Sequence, residues 1–549
     1  MMKITFLILL CSAVVYGQSS FIGRSESVIN EGGILKKQTI LTPMPNPGGQ
    51  KNISEINSVF PPNPFNNTAI KWNFTDAAAI GDYCESSGNG KYNLLSWNLN
   101  NKRISLYGNA TADPLWDFPT SPNGYLNYIT ISDTGGIIGS GSYQNMYLFN
   151  NSSNVPVLNY DLTRLIDTGT ATGLDVTGDG KYLVCTVSRG DSSTVFGFNT
   201  SSGVPSWSKR IVSGIQGGSN IYGIKLSGND SLFIVNTYYE YFVFRTYTGQ
   251  LVYQGLIDGG TQTVQGINGD GSVIAVINYF GLLRVYQWNG TTYNFVFANQ
   301  EPPGQFYNWY TSVDITYDGE YIAAGTLNFT SSTTVDGKIK VFRKSSGGTP
   351  LWTYTGCGDE VSAVSFSKSG NILSASSWGE FNNTTEDLYI FKTYLGNVPI
   401  FKLNTTGSMF WCSTSKDGRN VITSGKAVHA RQLGSGGLAY DIAVDTTDIP
   451  VVSINQINSG VAGEYRLSQN YPNPFNPVTN LEFAISKPGF VSLKVYDALG
   501  KEVSSLVNKI MPAGNYKVDF DGSSLNSGVY FYRLKAGDFV QTKQMILIK

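Results

Sequence analysis

The chain of 549 residues contains one histidine, His429. Histidine is the most frequent general base and the most frequent transition-metal ligand in proteins. One copy excludes a multi-histidine metal centre, and we expect His429 to pack or cap within the last repeat described below. The GxSxG, GKS/T and HExxH motifs and the SxDxGxTW box of sialidases are absent as well. We therefore predict no catalytic residues of these kinds, no metal and no bound cofactor.

Charged side chains are scarce. They make up 14% of the residues and leave a formal net charge of −1, whereas soluble proteins contain roughly 25% charged residues. Proteins that bind nucleic acid need a basic surface to meet the phosphates. The sequence therefore argues against a nucleic-acid partner and against an anionic membrane surface.

Cysteines are few and scattered. Beyond the first 17 residues they are Cys84, Cys185, Cys357 and Cys412, without CxxC spacing. Cysteines inside predicted strands usually act as small buried hydrophobic residues, although an exported chain could pair them in disulfides. The sequence favours buried thiols over disulfides.

No apolar run reaches the 18 residues of a membrane span. Lys3 precedes an apolar stretch at residues 4–15, and small residues follow at a cleavage position between Gly17 and Gln18. This pattern is typical of a secretory signal peptide. We predict a signal peptide at residues 1–17 and no membrane span in the mature chain.

A recurring hairpin is the main feature that the sequence does contain. Two apolar runs flank a polar corner, and the corners lie 41 to 51 residues apart. They fall at Gly90, Gly135, Gly180, Asp230, Gly271, Gly319, Gly370 and Gly418. Each unit reads as four short strands, A to D, and this period is the signature of β-propeller blades. The predicted fold is all-β, with an eight-bladed propeller at residues 71–445; seven blades is the alternative if the Gly90 unit is a partial repeat.

Two local patterns resemble known propeller families. The Asp-Gly corners followed by KYL or EYI resemble WD-repeat blades. The Ser-Gly turns that precede Trp207 and Trp352 resemble the tryptophan-docking turns of quinoprotein-like propellers. These resemblances imply the propeller fold and leave the ligand open.

Residues 18–70 are rich in proline and asparagine, which predicts an extended segment. Within it, residues 34–41 read as a strand. Because an N-terminal strand often completes the last blade of a ring, this strand is a candidate for closing the propeller.

The period ends near Asp445, and residues 446–466 read as a linker. Alternating apolar residues then predict a small Ig-like β-sandwich at residues 467–549. The sandwich carries a compact proline-rich motif formed by Tyr471, Pro472, Asn473, Pro474, Phe475, Asn476 and Pro477. Together with VYDALG, PAGNY and SGVYFYRL further on, it closely resembles the C-terminal sorting domain of type IX secretion systems. The resemblance implies a secreted or surface-attached protein whose tail contacts the export machinery.

Aromatic residues concentrate in the B–C turns and in one D–A entry, which share one face of a propeller disc. The residues concerned are Trp97, Tyr238, Tyr239, Tyr279, Phe280, Phe306, Tyr307, Trp309, Tyr310 and Trp378. Such rings, flanked by Asn and Gly, suit a glycan or peptide ligand. The alternative is that they plug the centre of the disc or pad neighbouring loops.

The sequence therefore favours an exported propeller used for binding, adhesion or scaffolding. The alternative is an extracellular propeller enzyme, either a quinoprotein-like dehydrogenase or a carbohydrate-active hydrolase or lyase that uses Asp, Glu and Tyr. A glycosidase would need two carboxyl groups in one cleft.

Overall fold

The computed structural model describes residues 67–123, 127–190, 192–212, 220–302, 308–331, 334–446, 464–487, 489–500, 502–511, 514–522, 525–537 and 539–548, together with the backbone of residues 23–31, 34–42 and 454–458. Gly17, Gln18 and the signal-peptide region lie outside the described residues, as do Phe306 and Tyr307. The chain divides into two compact units, Met1–Asp445 and Thr446–Lys549.

The first strands of the chain precede the repeats. Strands β1 (Gly23–Glu31) and β2 (Ile34–Thr42) pair with each other in an antiparallel hairpin. Strand β3 (Ala69–Asp76) pairs instead with a strand near the end of the first unit, as described below.

Eight four-stranded antiparallel sheets make up the rest of the first unit, as far as it is described. Sheet 1 contains β4 (Ala79–Ser86), β5 (Tyr92–Leu99), β6 (Arg103–Gly108) and β7 (Pro114–Pro119). Sheet 2 contains β8 (Asn127–Ile131), β9 (Ile137–Ser142), β10 (Asn145–Asn150) and β11 (Leu158–Asp161). Sheet 3 contains β12 (Thr170–Val176), β13 (Tyr182–Arg189), β14 (Ser192–Asn199) and β15 (Trp207–Ile211). Sheet 4 contains β16 (Gly223–Leu226), β17 (Leu232–Asn236), β18 (Glu240–Arg245) and β19 (Leu251–Leu256).

The same plan continues to the end of the unit. Sheet 5 contains β20 (Gly266–Ile267), β21 (Val273–Ile277), β22 (Leu282–Trp288) and β23 (Tyr293–Gln300). Sheet 6 contains β24 (Trp309–Ile315), β25 (Tyr321–Phe329), β27 (Lys338–Arg343) and β28 (Pro350–Thr355), with the short β26 (Val335–Asp336) beside β25. Sheet 7 contains β29 (Ala363–Phe366), β30 (Ile372–Ser376), β31 (Leu388–Lys392) and β32 (Pro399–Leu403). Sheet 8 contains β33 (Ser408–Thr414), β34 (Asn420–Lys426), β35 (Gly437–Ala443) and β3.

Helical structure among the described residues is limited to single 3-10 turns at Leu162–Arg164, Lys344–Ser346 and Thr393–Leu395. The all-β prediction is confirmed. The Gly90 unit, whose first strand is irregular in sequence, forms the complete sheet 1, and its irregularity is a register shift between Gly81 and Tyr83.

The corners of the hairpins follow the prediction closely. All eight corner residues have a positive φ, between 63° and 76°. Three residues before each corner, a Ser, Thr or Asn side chain accepts a hydrogen bond from the backbone N–H two residues after the corner, as Thr177 does from Tyr182 at 3.0 Å. The acceptors are Ser87, Ser132, Thr177, Ser227, Asn268, Thr316, Ser367 and Ser415. Positive φ favours glycine, and the side-chain acceptor fixes the turn that follows.

The sheets form a closed ring. A backbone N–H group donates a hydrogen bond across each pair of consecutive sheets, including the pair formed by sheets 8 and 1. The donors are Asn89, Asp133, Leu226, Asn229, Gly269, Phe366, Thr414 and Ser86. Indole Nε1 groups on outer strands add further links, as Trp207 of sheet 3 donates to the Thr246 carbonyl of sheet 4 at 3.0 Å. Apolar side chains fill the spaces between sheets, for example between sheets 2 and 3.

Closure comes from β3 rather than from the strand expected at residues 34–41. Strand β3 pairs with β35 and places Trp72, which is 6% exposed, in the core between sheets 8 and 1. Residues 34–41 carry Lys36 and Lys37 at their centre and pair with β1 instead. A strand buried against a neighbouring sheet needs apolar residues on the inward face, and β3 supplies them.

The second unit contains two four-stranded sheets. The first consists of β36 (Ile454–Asn458), β41 (Gly514–Asp521), β38 (Val478–Ile485) and β37 (Arg466–Leu467). The second consists of β40 (Glu502–Met511), β39 (Gly489–Tyr496), β42 (Gly528–Ala536) and β43 (Phe539–Leu547). Buried residues from both sheets form one hydrophobic cluster, which includes Phe475, Phe483, Val495 and Tyr532.

Candidate ligand-binding cavity

The innermost strands of the ring surround a central cavity of about 620 Å³. Its wall contains residues of the first strand of each sheet or of the segment just before that strand. Cavities of roughly 300–1,000 Å³ are the usual size for small-molecule sites.

Polar side chains five residues before the corners form one end of the cavity. At five of these positions the side chain accepts a hydrogen bond from a backbone N–H of the next sheet at 2.7 to 3.2 Å, namely Thr130, Asp175, Asp314, Ser365 and Ser413. At a sixth position Lys225 of sheet 4 forms an ion pair with Asp314 of sheet 6, and the intervening sheet 5 has Gly266 at the equivalent position. These groups therefore hold the ring together at its centre.

Beyond this level the corner segments cover the centre of the ring. Lys416 Nζ lies 2.6 Å from Asp133 Oδ1. The neighbouring Gly88 makes room for this ion pair, because a Cβ there would lie 2.7 Å from the same oxygen. Lys368 Nζ lies 4.5 Å from the centre of the Tyr317 ring. No corner residue lines the cavity, so a ligand would enter from the face that carries the B–C turns.

The cavity is asymmetric because the residue seven positions before each corner is large in some sheets and small in others. Sheets 8, 1 and 2 place Trp411, Tyr83 and Tyr128 there, with the Tyr83 ring centre 5.1 Å from Trp411 and 5.7 Å from Tyr128. Sheets 3 to 7 place Gly173, Gly223, Val264, Ser312 and Ala363 there. The free space therefore lies on the side of sheets 3 to 7.

Four of the predicted aromatic residues meet on that side. The ring centres of Tyr279 and Trp309 are 4.8 Å apart, and the Tyr238 ring contacts Tyr279 at 6.3 Å and Tyr239 at 4.6 Å. Tyr279 and Trp309 line the cavity directly. Tyr222, which lines the cavity and lies 6.3 Å from Tyr238, extends the group.

The other predicted aromatic residues lie elsewhere. Trp97, Tyr310 and Trp378 are at most 1% exposed and belong to the packing between sheets, so a surface ligand cannot reach them. Phe280 is 45% exposed and packs against Gly259 outside the cavity wall.

Sequence reasoning missed aromatic residues of the cavity wall that lie on the first strands or just before them, namely Tyr83, Tyr128, Tyr222, Phe410 and Trp411. The sequence-based prediction included only aromatic residues of the B–C turns and of one D–A entry. Three of them, Tyr83, Tyr128 and Trp411, lie seven residues before a corner. Residues two apart on a strand face the same side, so this position faces the cavity like the polar position five residues before the corner, and the spacing could have identified it.

Two carboxyl groups in the cavity wall have strongly perturbed acidity. Burial raises the pKa of Asp82 to about 7, against the opposing effects of Asn98 and Lys102. Burial, together with the neighbouring Asp359, raises the pKa of Glu360 to about 8, against the effect of Arg431. Carboxyl groups of this kind are candidates for ligand contact or proton transfer.

The single histidine has a structural role. His429 Nδ1 accepts a hydrogen bond from the Arg431 backbone N–H, and Nε2 lies 3.2 Å from the Gly379 carbonyl oxygen, to which it donates. Burial lowers the pKa of His429, and the side chain does not line the cavity. All four cysteines of the described residues are buried free thiols, as predicted.

No group of three or more His, Cys, Asp or Glu side chains among the described residues could hold a metal ion. No helix in the described ranges is long and apolar enough to cross a membrane.

The proline-rich motif of the second unit folds along the edge of a sheet. Phe475 is 2% exposed, and its backbone donates to Ile546 and accepts from Ile548 on the far side of β43. Tyr471 at the start of the motif is 80% exposed. Nearby, the Tyr532 hydroxyl donates to the Ser468 carbonyl at 2.9 Å. The motif thus has a buried anchor and an exposed beginning.

A closed ring of four-stranded sheets around a central cavity defines the first unit as a β-propeller. Residues 469–549 match the secretion system C-terminal sorting domain. The protein is thus an exported one, secreted or attached to the cell surface through type IX secretion, and its tail interacts with the export machinery. No curated protein matches the sequence. Among solved structures, the chain is similar to the β-propeller domain of Cps50 (Swd1) from Myceliophteria thermophila, with a TM-score of 0.42 and 11% identity over 55% of this chain and 96% of that one.

Proposed function

We propose that the first unit is an eight-bladed propeller that serves as a binding module of an exported protein. In this proposal the ligand enters the central cavity from the B–C face and contacts Tyr279 and Trp309. The observation that carries the proposal is the asymmetry of the cavity, whose free space lies beside a cluster of half-buried aromatic rings.

The chemistry of the wall favours a glycan or a peptide. Aromatic faces pack against the apolar faces of sugar rings and against peptide side chains. Gln262 lines the same cavity and offers an amide group to a ligand.

The test is to replace the cavity rings and measure binding. Trp309→Ala and Tyr279→Ala should each weaken binding to ligands found on glycan and peptide arrays by at least about tenfold, as expected for central aromatic contacts. Phe295→Ala is the matched control, because this ring is 60% exposed on the outer strand β23. Wild-type binding by both cavity variants, with unchanged melting temperatures, would reject the proposal.

The second candidate is an enzyme that uses Asp82 and Glu360 for acid–base chemistry. It is favoured by the raised pKa values of both groups in one cavity. The assay is turnover of polysaccharides and chromogenic glycosides by the wild type, with loss of turnover in Asp82→Asn and Glu360→Gln. Absence of turnover across the substrate panel would leave the binding module as the better account.

For the second unit we propose an Ig-like sandwich at residues 467–549, preceded by a linker at residues 446–466. Two sheets that share one hydrophobic cluster support this arrangement. The exposed start of the motif, with Tyr471, Pro472, Asn473 and Pro474, is the part that we expect to contact the export machinery.

A further inference from the structure

Aromatic rings in the propeller are repeatedly covered by a cation that a carboxylate holds in place. Among the described residues three such sets occur, namely Trp97 with Arg103 and Asp76, Tyr310 with Lys340 and Glu301, and Trp378 with Arg431 and Asp359. The cationic group lies 5.1, 5.9 and 5.2 Å from the ring centre in these three sets. Attraction between a cation and the face of an aromatic ring is strongest when the pair is shielded from water.

A fourth set of aromatic rings and a carboxyl group, formed by Tyr279, Trp309 and Glu360, lines the cavity and contains no cation. Glu360 and Tyr279 both line the cavity, and burial together with the charge of Glu360 raises the pKa of the Tyr279 hydroxyl. Tyr279 in turn packs against Trp309. Glu360 forms no ion pair with any described residue. The nearby Arg431 is held by Asp359, at 2.7 and 2.8 Å, and lies over Trp378.

Two hydrogen bonds fix this set in the ring. The hydroxyl groups of Thr311 and Ser312 donate to the carbonyl oxygen of Val361 at 2.8 and 3.0 Å. Val361 follows Glu360, and Thr311 lies two residues after Trp309. The bonds therefore hold the segments that carry the carboxyl group and the indole side by side.

Carboxyl groups outnumber amino groups in the cavity wall. Five carboxyl groups line the cavity, those of Asp82, Glu85, Asp175, Asp314 and Glu360, against three amino groups, those of Lys102, Lys225 and Lys426. Lys225 is paired with Asp314, and Lys426 Nζ donates to the Gln432 carbonyl oxygen at 2.6 Å. A bound cation near Glu360 would favour the ionised form of its carboxyl group, which burial disfavours.

We propose that Glu360, Tyr279 and Trp309 form a subsite for an ammonium group of the ligand. The inference rests on the proposed function, because it specifies the ligand of the same cavity. A lysine side chain and an unacetylated amino sugar share this chemistry. In either case the ammonium group lies against the two rings and forms an ion pair with the Glu360 carboxylate.

The first experiment uses a small permanent cation. Choline should bind the full-length protein in a calorimetric titration, and Glu360→Gln should weaken this binding by at least about tenfold. Glu320→Gln is the matched control, because Glu320 pairs with Arg343 beside a corner, away from the cavity. A glutamine matches the size of the glutamate, and thermal melting verifies that both variants are folded.

The second experiment identifies the source of the ammonium group. Glucosamine oligosaccharides are compared with their N-acetylated forms, and lysine-containing peptides with Nε-acetyl-lysine peptides. We expect a preference of about tenfold or more for the charged member of one pair, and its loss in Glu360→Gln. Preference for the acetylated member, or wild-type choline affinity in Glu360→Gln, would overturn the subsite.

The outcomes separate the subsite from the binding function. If neutral ligands bind and Trp309→Ala abolishes their binding while choline does not bind, the subsite is wrong and the binding module stands. If neither class of ligand binds, both proposals fail.

Discussion

Single glycines determine how closely neighbouring sheets approach one another in the ring. Gly180 at the corner of sheet 3 has a φ of 73°, and a Cβ there would lie 2.9 Å from Ile137 Cγ1 of sheet 2. Two unfavourable effects therefore act on any side chain at this position, the left-handed backbone and the contact with the next sheet. The neighbouring corner shows the exception, since Asp230 occupies it and its carboxylate accepts a hydrogen bond from the Gly178 N–H at 3.0 Å.

Replacing Gly180 tests this account. Gly180→Ala should lower the free energy of unfolding by about 1–2 kcal/mol, because alanine in the left-handed region is disfavoured by that amount. Chemical denaturation measures the change. Gly203→Ala is the control, since no atom lies within 4 Å of the position of its Cβ and its φ is not positive. Equal stability of the two variants would contradict the argument.

Glu360 gives the ammonium subsite a pH dependence with a definite sign. The pKa of Glu360 is about 8, so the carboxyl group is mostly neutral below that pH and charged above it. The charged or titratable groups that act on it are Asp359, Arg431 and Tyr279, and burial keeps the Tyr279 hydroxyl neutral in this range by raising its pKa. A cation prefers the charged carboxylate.

Choline affinity should therefore rise by about tenfold between about pH 6 and about pH 9, as expected when a carboxyl group titrates with a shifted pKa. Choline keeps its charge throughout, so the change reports on the protein. Glu360→Gln should show a flat profile. A falling profile in the wild type would indicate that the neutral carboxyl group acts as a hydrogen-bond donor and would argue against the subsite.

Adjacent residues on a strand show what the sequence could reveal about the site. Trp309 lines the cavity and Tyr310 is buried between sheets, because successive side chains of a strand point to opposite faces. That rule alone could have separated them. The burial of Trp97 and Trp378 could not be read in this way, since their packing partners come from other sheets: Phe74 packs against Trp97, and Phe410 and Arg431 pack against Trp378.

At the scale of the strand, the position of closure depends on one N-terminal segment. Strand β3 supplies the outer strand of sheet 8, with Trp72 and Phe74 in the hydrophobic cluster between sheets 8 and 1. The corners and the strand order within each repeat follow from local patterns. The closing strand pairs with a segment more than 350 residues away, and no local pattern specifies that partner.

Removal of β3 should open the ring. A chain that begins at Ala77 leaves β35 with an unpaired edge and removes the Trp72 side chain from the core. We expect a lower melting temperature and aggregation through the exposed edge, as measured by calorimetry and light scattering. A chain that begins at Asn67 keeps β3 and should melt like the full-length protein. Identical behaviour of the two chains would show that β3 does not stabilise the ring.

At the scale of the whole molecule, the chain consists of a propeller and an export unit with separate cores. The hydrophobic cluster of the second unit draws its buried residues from 467–547, and the clusters of the first unit lie between its own sheets. The 41- to 51-residue period was sufficient to predict the ring, and the motif order was sufficient to predict the export unit. The ligand-binding cavity could not be predicted from the sequence, because its wall combines side chains from all eight sheets.

Separate cores predict that export can be damaged without harming ligand binding. Phe475 belongs to the core of the second unit and lies 5.9 Å from the Phe520 ring. Phe475→Ala should destabilise that unit by about 3–5 kcal/mol, the usual effect of removing a buried aromatic ring. Calorimetry should show a lower transition for the second unit and an unchanged one for the propeller, with unaltered binding to choline and to ligands found on the arrays.

In the producing bacterium, the fraction of the protein that reaches the medium or the cell surface should fall. Leu499→Ala is the matched control, because this side chain is 94% exposed in the same unit. Normal export of Phe475→Ala, with the second unit shown to be unfolded, would mean that the export machinery recognises the sequence of the tail rather than its folded surface.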